Sequence, residues 1–377
     1  MQPIRKAMYR GTEDEAVALF ARARAVHLAT SNDAGEPVLR ALHAVVDVEA
    51  EALTLAFHAA PVGELPEALG HRAVVSTEEI VASIPSFFID PERACPATTY
   101  YVSAQAHGVL EEVTSIDEKA RLLQGLMSKH QPEGGHRPIV ADEPMYRKAV
   151  AGLLVFRLRA DHVACKVKLG QNRRPEERTR ILEQLWARGT PEDVRAIAFV
   201  LARSPELPLP SFLRAPETCG IRLSCAPDER DLDEAAALLD GAYWLDGIPR
   251  ARTREALARS SAVVLARDGT GALVAVARAM SDGRVAWIYD VMVAPSARGR
   301  GIGRAVVGLL VEHPTVRGVR AVRLGTRDAM EFYRTFGFRD VASVTASRPY
   351  PVVEMVRTGA SWDEAKAQNW KPNDAPA

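Results

Sequence analysis

Val291-Met-Val-Ala-Pro-Ser-Ala-Arg-Gly-Arg-Gly-Ile-Gly-Arg304 decides how the C-terminal half of the chain is read. An apolar run feeds a glycine-rich turn, and the turn opens a helix. The first turn of a helix has unpaired N–H groups and the positive end of the macrodipole. Glycines let the backbone come close enough to a pyrophosphate to use both. Two other phosphate-binding patterns compete for the stretch, and neither fits. A G-x-G-x-x-G fingerprint needs a third glycine where Val306 stands, and a phosphate loop needs a Lys-Ser or Lys-Thr pair that does not follow. What remains besides an anion site is a helix N-cap with spare glycines.

The flanking sequence narrows that choice. Ala262–Arg267, the turn Asp268-Gly-Thr-Gly271 and Ala272–Met280 predict strand, turn and strand, and Ser281-Asp-Gly283 turns into Val285–Val293. Apolar and β-branched content with Asp-Gly turns signals an antiparallel meander. Residues 305–312 are expected to be helical and Val319–Leu324 a strand. Asp328–Phe336 is a second helix, ended by Gly337 and followed by Phe338-Arg-Asp-Val341.

This order, with Arg298-x-x-Gly301-x-Gly303 and Glu331-Phe-Tyr-Arg-Thr-Phe-Gly-Phe338, resembles the GNAT N-acetyltransferase superfamily over about residues 220–357. The resemblance implies a mixed α/β sheet, acetyl-CoA as acyl donor and a small-molecule amine as acceptor. It assigns the coenzyme to Arg298, Gly299, Arg300, Gly301, Ile302, Gly303 and Arg304, with the amides of 299–304 on the pyrophosphate. Met292 and Val293 would align the pantetheine arm and polarise the thioester carbonyl. Tyr333 would protonate the departing thiolate. The attacking amine must be neutral and the developing oxyanion needs a donor. Asp290 is the local candidate for the base, or else a solvated or cap-forming aspartate. Many relatives place an asparagine where this chain has Thr326-Arg-Asp328. Asp328 therefore either meets the coenzyme, pairs with Arg327 or reads the acceptor. Acceptor choice is expected in loops such as Tyr243-Trp-Leu-Asp-Gly-Ile-Pro-Arg250, whose aromatic pair and Asp246 line the pocket or fill the core.

The chain has 377 residues, enough for two domains, and 48 basic against 48 acidic residues. Such a balance gives no overall charge for a nucleic-acid or membrane-surface partner. Cys95, Cys165, Cys219 and Cys225 are scattered without a C-x-x-C pair, which argues against a metal site or a disulfide framework. Met1-Gln-Pro-Ile-Arg-Lys6 lacks the apolar core of a signal peptide, and no apolar run is long enough to span a bilayer. A cytoplasmic protein is expected. Ser204–Pro216 is dense in proline and reads as a semi-rigid spacer. The expected division is 1–203, a linker at 204–219, the transferase at 220–357 and a mobile tail at 358–377.

The first region opens with a helix, about 13–24. Strands follow at 25–30, 37–47, 52–58, 73–76, 100–110 and 153–158. Helices are expected at 63–69, 116–129, 175–186 and 191–203. Short strands in this number predict a small barrel, giving an α+β chain overall. Gly35-Glu-Pro-Val-Leu-Arg40, Phe57-His-Ala-Ala-Pro-Val-Gly63 and Cys165-Lys-Val-Lys-Leu-Gly-Gln-Asn-Arg173 resemble the pyridoxamine-phosphate-oxidase-like FMN-binding split barrels, closest to the branch of FMN-binding negative transcriptional regulators. The resemblance implies a homodimer built through the barrel. It assigns FMN to Arg40, Ala41, Leu42, His58, Ala59, Gly63, Lys168, Gln171, Asn172 and Arg173. Glu64 would repel the phosphate, so a barrel that keeps its fold without flavin stays open. An FMN-dependent oxidoreductase with an accessory transferase is the second functional class, and a non-catalytic regulatory protein the third.

Overall fold

The computed structural model describes residues 7–341 except 33, 48, 49 and 51. The chain divides into two compact units, Met1–Leu324 and Gly325–Ala377, and both sheets lie in the first.

The first sheet is a curled antiparallel half-barrel of seven strands: β1 (Val26–Ser31), β2 (Pro37–Leu42), β3 (Val45–Val46), β4 (Thr54–Ala59), β5 (Arg72–Ile84), β6 (Thr98–Glu112) and β7 (Leu154–Lys168), in the order β2-β1-β5-β6-β7-β4-β3. Burial alternates along β6 with period two, as expected of a strand with one face on a core. Phe57 and Phe156 stand opposite each other on β4 and β7 and stack at 5.2 Å, among fully buried Phe20, Leu28, Leu55 and Leu158. Helix α1 (Glu13–Arg22) opens with a Thr12/Glu15 capping box and lies against β3, β5, β6 and β7. Helices α2 (Glu64–Glu67), α3 (Ile116–His130), α4 (Pro144–Gly152), α5 (Pro175–Arg188) and α6 (Pro191–Ala202) complete this part.

The second sheet is mixed: β8 (Ile221–Ser224), β9 (Ala262–Asp268), β10 (Leu273–Ser281), β11 (Val285–Val293) and β12 (Ala321–Arg323), in the order β12-β11-β10-β9-β8. Of its neighbouring strands, only β11 and β12 run parallel. Helices α7 (Glu229–Leu238) and α8 (Arg250–Ala258) bury Leu232, Ala235, Ala236 and Leu257 against Val263, Leu265 and Val276. Ala275, Ala277 and Ala279 alternate with Val276 and so face the other way. Helix α9 (Ile302–Val311) lies against β9, β10 and β11, where these small side chains permit close approach. A one-turn helix, α10 (Pro314–Arg317), follows.

Residues 204–219, expected as a spacer, are bound down along their length. Arg178 on α5 donates to Ser204 Oγ and to Glu206 Oε1 (2.7 Å), Thr179 donates to the Pro208 carbonyl (3.2 Å), and Leu207 and Leu213 are buried. Proline stiffens the chain; it does not keep it off a surface that buries its leucines.

In the second unit, helix α11 (Met330–Arg334) is shorter than expected, and Thr326 Oγ1 accepts from the Ala329 N–H at 3.1 Å just before it. The expected end of the transferase, 342–357, and the tail at 358–377 lie outside the described residues.

Candidate functional site

The site is set by an irregularity in β11. Val276 pairs with Met292, but Arg278 pairs with Tyr289, so β11 carries one extra residue where the register shifts. That extra residue makes a β-bulge, which bends the strand. Asp290 takes φ +52, the sole positive φ outside glycine among the described residues. Aspartate tolerates this region better than most side chains. Its carboxylate is held from two sides: Trp244 Nε1 donates to Oδ1 at 3.0 Å, and the Arg278 guanidinium donates to Oδ2. Arg278 also lies 4.7 Å over the Tyr289 ring. Asp290 is only 8% exposed, so it is neither the solvated nor the cap-forming aspartate that the sequence left open. Burial removes it from water, and the Arg278 pairing compensates the charge.

Parallel pairing of β11 with β12 stops at Trp287 and Arg323. Beyond it, the outer edge of residues 288–293 has no strand partner among the described residues. Met292 and Val293 lie on this stretch, directly before the turn Pro295–Ala297.

Helix α9 begins one turn earlier than the sequence suggested, at Ile302, which is buried. Gly301 is its N-cap with φ +81, and no side chain caps the helix. The first amide to close a helical turn is that of Ala305, on the Gly301 carbonyl at 3.1 Å. Gly299 also takes a positive φ, +78, and a Cβ there would meet open space. Two arginines of the motif are turned to the protein, Arg298 Nε donating to the Val293 carbonyl (3.1 Å) and Arg300 to the Cys219 carbonyl (2.7 Å), while Arg304 is exposed on the first turn of α9. The mouth therefore offers main-chain donors, as the glycines implied.

Tyr333 lies in the second unit, half-buried, with edge contacts to Phe332 at 5.0 Å and Phe338 at 5.9 Å. Asp328 pairs with Arg327 at 3.5 Å, both well exposed. Tyr243 and Trp244 meet edge to face at 4.9 Å and keep 47% and 39% of their surface, while Leu245 goes to the core of the second sheet. The aromatic pair thus stays at the surface, and the residue after it packs on the core. Sequence reasoning missed Arg278. Its cue was a charged residue in the buried alternation Ala275-Val-Ala-Arg-Ala279.

The residues expected around FMN present a different picture. Arg40 on β2 is paired with Glu64. Ala41 and Leu42 follow it on the edge strand, and His58 and Ala59 end β4. Crowding of the His58 ring, and then His43 nearby, hold its imidazole below the usual pKa, although the residue keeps open surface. Lys168 donates to Thr98 Oγ1 (2.5 Å), and Gln171 bonds both Leu169 N (2.7 Å) and the Val167 carbonyl (2.8 Å). Asn172 accepts from Tyr9 (2.9 Å), and Arg173 donates to the Pro96 carbonyl (3.3 Å). Gly63, with φ +98, precedes α2, a helix of a single turn.

Residues 12–167 match the family model Pyridoxamine 5'-phosphate oxidase, and residues 228–338 match the model Acetyltransferase (GNAT) family. Serotonin N-acetyltransferase 2, chloroplastic, of Oryza sativa subsp. japonica is 41% identical over 100 residues, 24% of this chain and 50% of that protein. Uncharacterized N-acetyltransferase ycf52 of Pyropia yezoensis is 31% identical over 127 residues, 32% of this chain and 72% of that protein. A crystal structure of a GNAT-family protein from Xanthomonas campestris pv. campestris shares 28% identity at a TM-score of 0.30, over 35% of this chain and 94% of that one. The chain thus spans half the length of the rice relative. No helix among the described residues is long and apolar enough to cross a membrane.

Proposed function

Because the chain belongs to the GNAT acetyltransferase family through residues 228–338, we propose that residues 220–357 transfer an acetyl group from acetyl-CoA to a small amine. The observation that carries this is the glycine mouth of α9, with no side-chain cap among the described residues, placed directly after the bulged edge of β11 that has no strand partner among them.

The amides of residues 299–304 take the pyrophosphate, and the edge backbone at Met292 and Val293 aligns the thioester. The neutral amine nitrogen bonds to the carbonyl carbon and passes a proton to water, the oxyanion is held by backbone donors, and the C–S bond then breaks as the carbonyl re-forms. The family resemblance gives Tyr333 the task of protonating the leaving thiolate, and it would regain its proton from solvent. No covalent enzyme intermediate forms. With both oxygens of Asp290 engaged, we assign it to holding the bulge and Trp244, not to taking the amine proton.

Residues 1–203 form a barrel-based unit, 204–219 the connection, 220–357 the transferase and 358–377 a tail in this reading. The barrel is a scaffold that joins two copies in the cytoplasm. This reading leaves FMN out because the residues expected to hold it already have protein partners: Glu64 pairs with Arg40, and Lys168, Gln171, Asn172 and Arg173 each bond within the chain. Calorimetric titration of the full chain with acetyl-CoA, followed by thiol release with a broad amine panel, tests the proposal. Saturable binding and amine-dependent release of CoA are expected; no binding overturns it.

A further inference from the structure

We infer that Arg300 is a positioning residue, tying the coenzyme loop to the segment that arrives from the barrel, so that acetyl-CoA affinity depends on side chains that never touch it. The inference rests on the mouth of α9 being the coenzyme site. Arg300 sits between Gly299 and Gly301, both in left-handed conformations, where the backbone has least intrinsic stiffness. Its side chain supplies the missing anchor by donating to the Cys219 carbonyl at 2.7 Å.

The acceptor is itself well fixed. Cys219 is 1% exposed and ends the turn Glu217–Cys219, which Gly220 closes with φ +55. The fit is close on both sides. A Cβ on Gly220 would stand 2.9 Å from the Arg300 guanidinium, and one on Gly301 would stand 3.5 Å from Cys219 Sγ. From Cys219 the chain runs back to α5. Ser211 N–H donates to Glu183 (3.3 Å), Thr179 to the Pro208 carbonyl (3.2 Å), and buried Arg178 to Ser204 and Glu206. Arg317, just beyond α9, returns to the same helix on the Trp186 and Ala187 carbonyls at 2.8 and 2.7 Å. The loop that presents amides to the coenzyme is thus braced on a frame that ends in the barrel's own helix.

An arginine at this place could instead bind the diphosphate directly, and the two roles separate experimentally. Acetyl-CoA Kd is measured calorimetrically for the wild type, Arg300→Met, Arg178→Met and the double variant, with kcat at saturating acetyl-CoA. Loss of one charge-assisted anchor is expected to weaken Arg300→Met about tenfold. Its kcat should stay within about twofold, because the anchor acts on coenzyme binding rather than on the chemical step. Arg178→Met should weaken binding in the same direction, and the double variant should be no weaker than Arg300→Met, because both release one frame. Unchanged binding in Arg178→Met beside weakened Arg300→Met would make Arg300 a direct ligand and overturn the inference. So would effects that multiply in the double variant, or no effect of either. Thr179→Val, which removes a single linker hydrogen bond, replaces Arg178→Met should that variant fail to fold. A wild type that does not bind acetyl-CoA defeats the proposed function instead.

Discussion

His313 links the end of α9 to the barrel helices, and acid should loosen that junction. The residue is 2% exposed, with its ring edge on Trp186 at 5.5 Å, while Trp186 stacks on Phe212 at 4.2 Å. Nδ1 faces the Thr315 N–H at 3.3 Å and Thr315 Oγ1 at 2.9 Å, while Nε2 has no hydrogen-bond partner among the described residues. Burial, and then Arg317, push the imidazole down to about 4 from 6.5. Above pH 6.5 the ring is neutral in both folded and unfolded chains, and stability is unaffected. As pH falls below 6.5 the unfolded chain takes a proton that the folded chain refuses, and stability drops until pH reaches about 4. The loss is about 2 kcal/mol at pH 5 and about 3 kcal/mol once both states are protonated. Urea unfolding at pH 7.5 and 5.0, wild type against His313→Asn, isolates this contribution. Asparagine keeps the helix cap for Thr315 N–H without titrating in this range, and its lost packing cancels between the two pH values. The wild type should lose about 2 kcal/mol more than the variant. Parallel losses would show that His313 is already protonated, or wet, in the folded protein.

Gly301→Ala forces a left-handed φ of +81 on a side chain, costing about 1 kcal/mol of stability. It should also raise the acetyl-CoA Kd several-fold in calorimetric titration; unchanged affinity would remove the loop from the site. Asp193 is fully buried, paired with Arg188 and closing the Thr190 capping box of α6. Asp193→Ala should lower stability by about 3 kcal/mol in urea unfolding, because it strands a partly buried guanidinium and opens a cap. Glu64→Gln releases Arg40 from its carboxylate. FMN titration followed by flavin fluorescence should show no saturable binding to the wild type, and any gain should appear in the variant. A flavin-loaded wild type would refute the scaffold reading.

The meander at residues 262–293 was legible because Asp-Gly turns punctuate runs of alanine and valine, and β9, β10 and β11 fall close to where the pattern put them. Elements facing solvent on most sides were not. Helix α8 buries only Thr253 and Leu257 and carries little apolar period, and α4 is nine residues long and buries only Val150. Strands β5 and β7 run far beyond the segments expected, because residues such as Glu78, Glu79, Lys166 and Lys168 interrupt the apolar signal while the backbone ladder continues. At the site, the glycine mouth was readable from local chemistry. The pairing of Arg278 with Asp290 depends on a one-residue slip between strands, and Arg300 reaches Cys219 across 81 positions. Spacing in one dimension encodes neither.

The same slip bears on where the amine proton goes. A general base must accept a proton and release it, and Asp290 could do so only by leaving the Arg278 charge uncompensated. The Arg278 side chain is 13% exposed, and its other neighbours are the Tyr289 ring at 4.7 Å and Ser260 Oγ at 3.4 Å. Neither neutralises a guanidinium, so Asp290 stays engaged with Arg278 and Trp244 and is poorly placed to serve the amine. The amine must reach the thioester already neutral, and the proton it sheds as the bond forms passes to water. For an aliphatic amine, kcat/KM should rise tenfold per pH unit up to the acceptor's own pKa. Asp290→Asn should lower the rate through a disturbed bulge, raising the acetyl-CoA KM, without changing the shape of that profile. An acidic limb present in the wild type and absent from Asp290→Asn would return the base to Asp290.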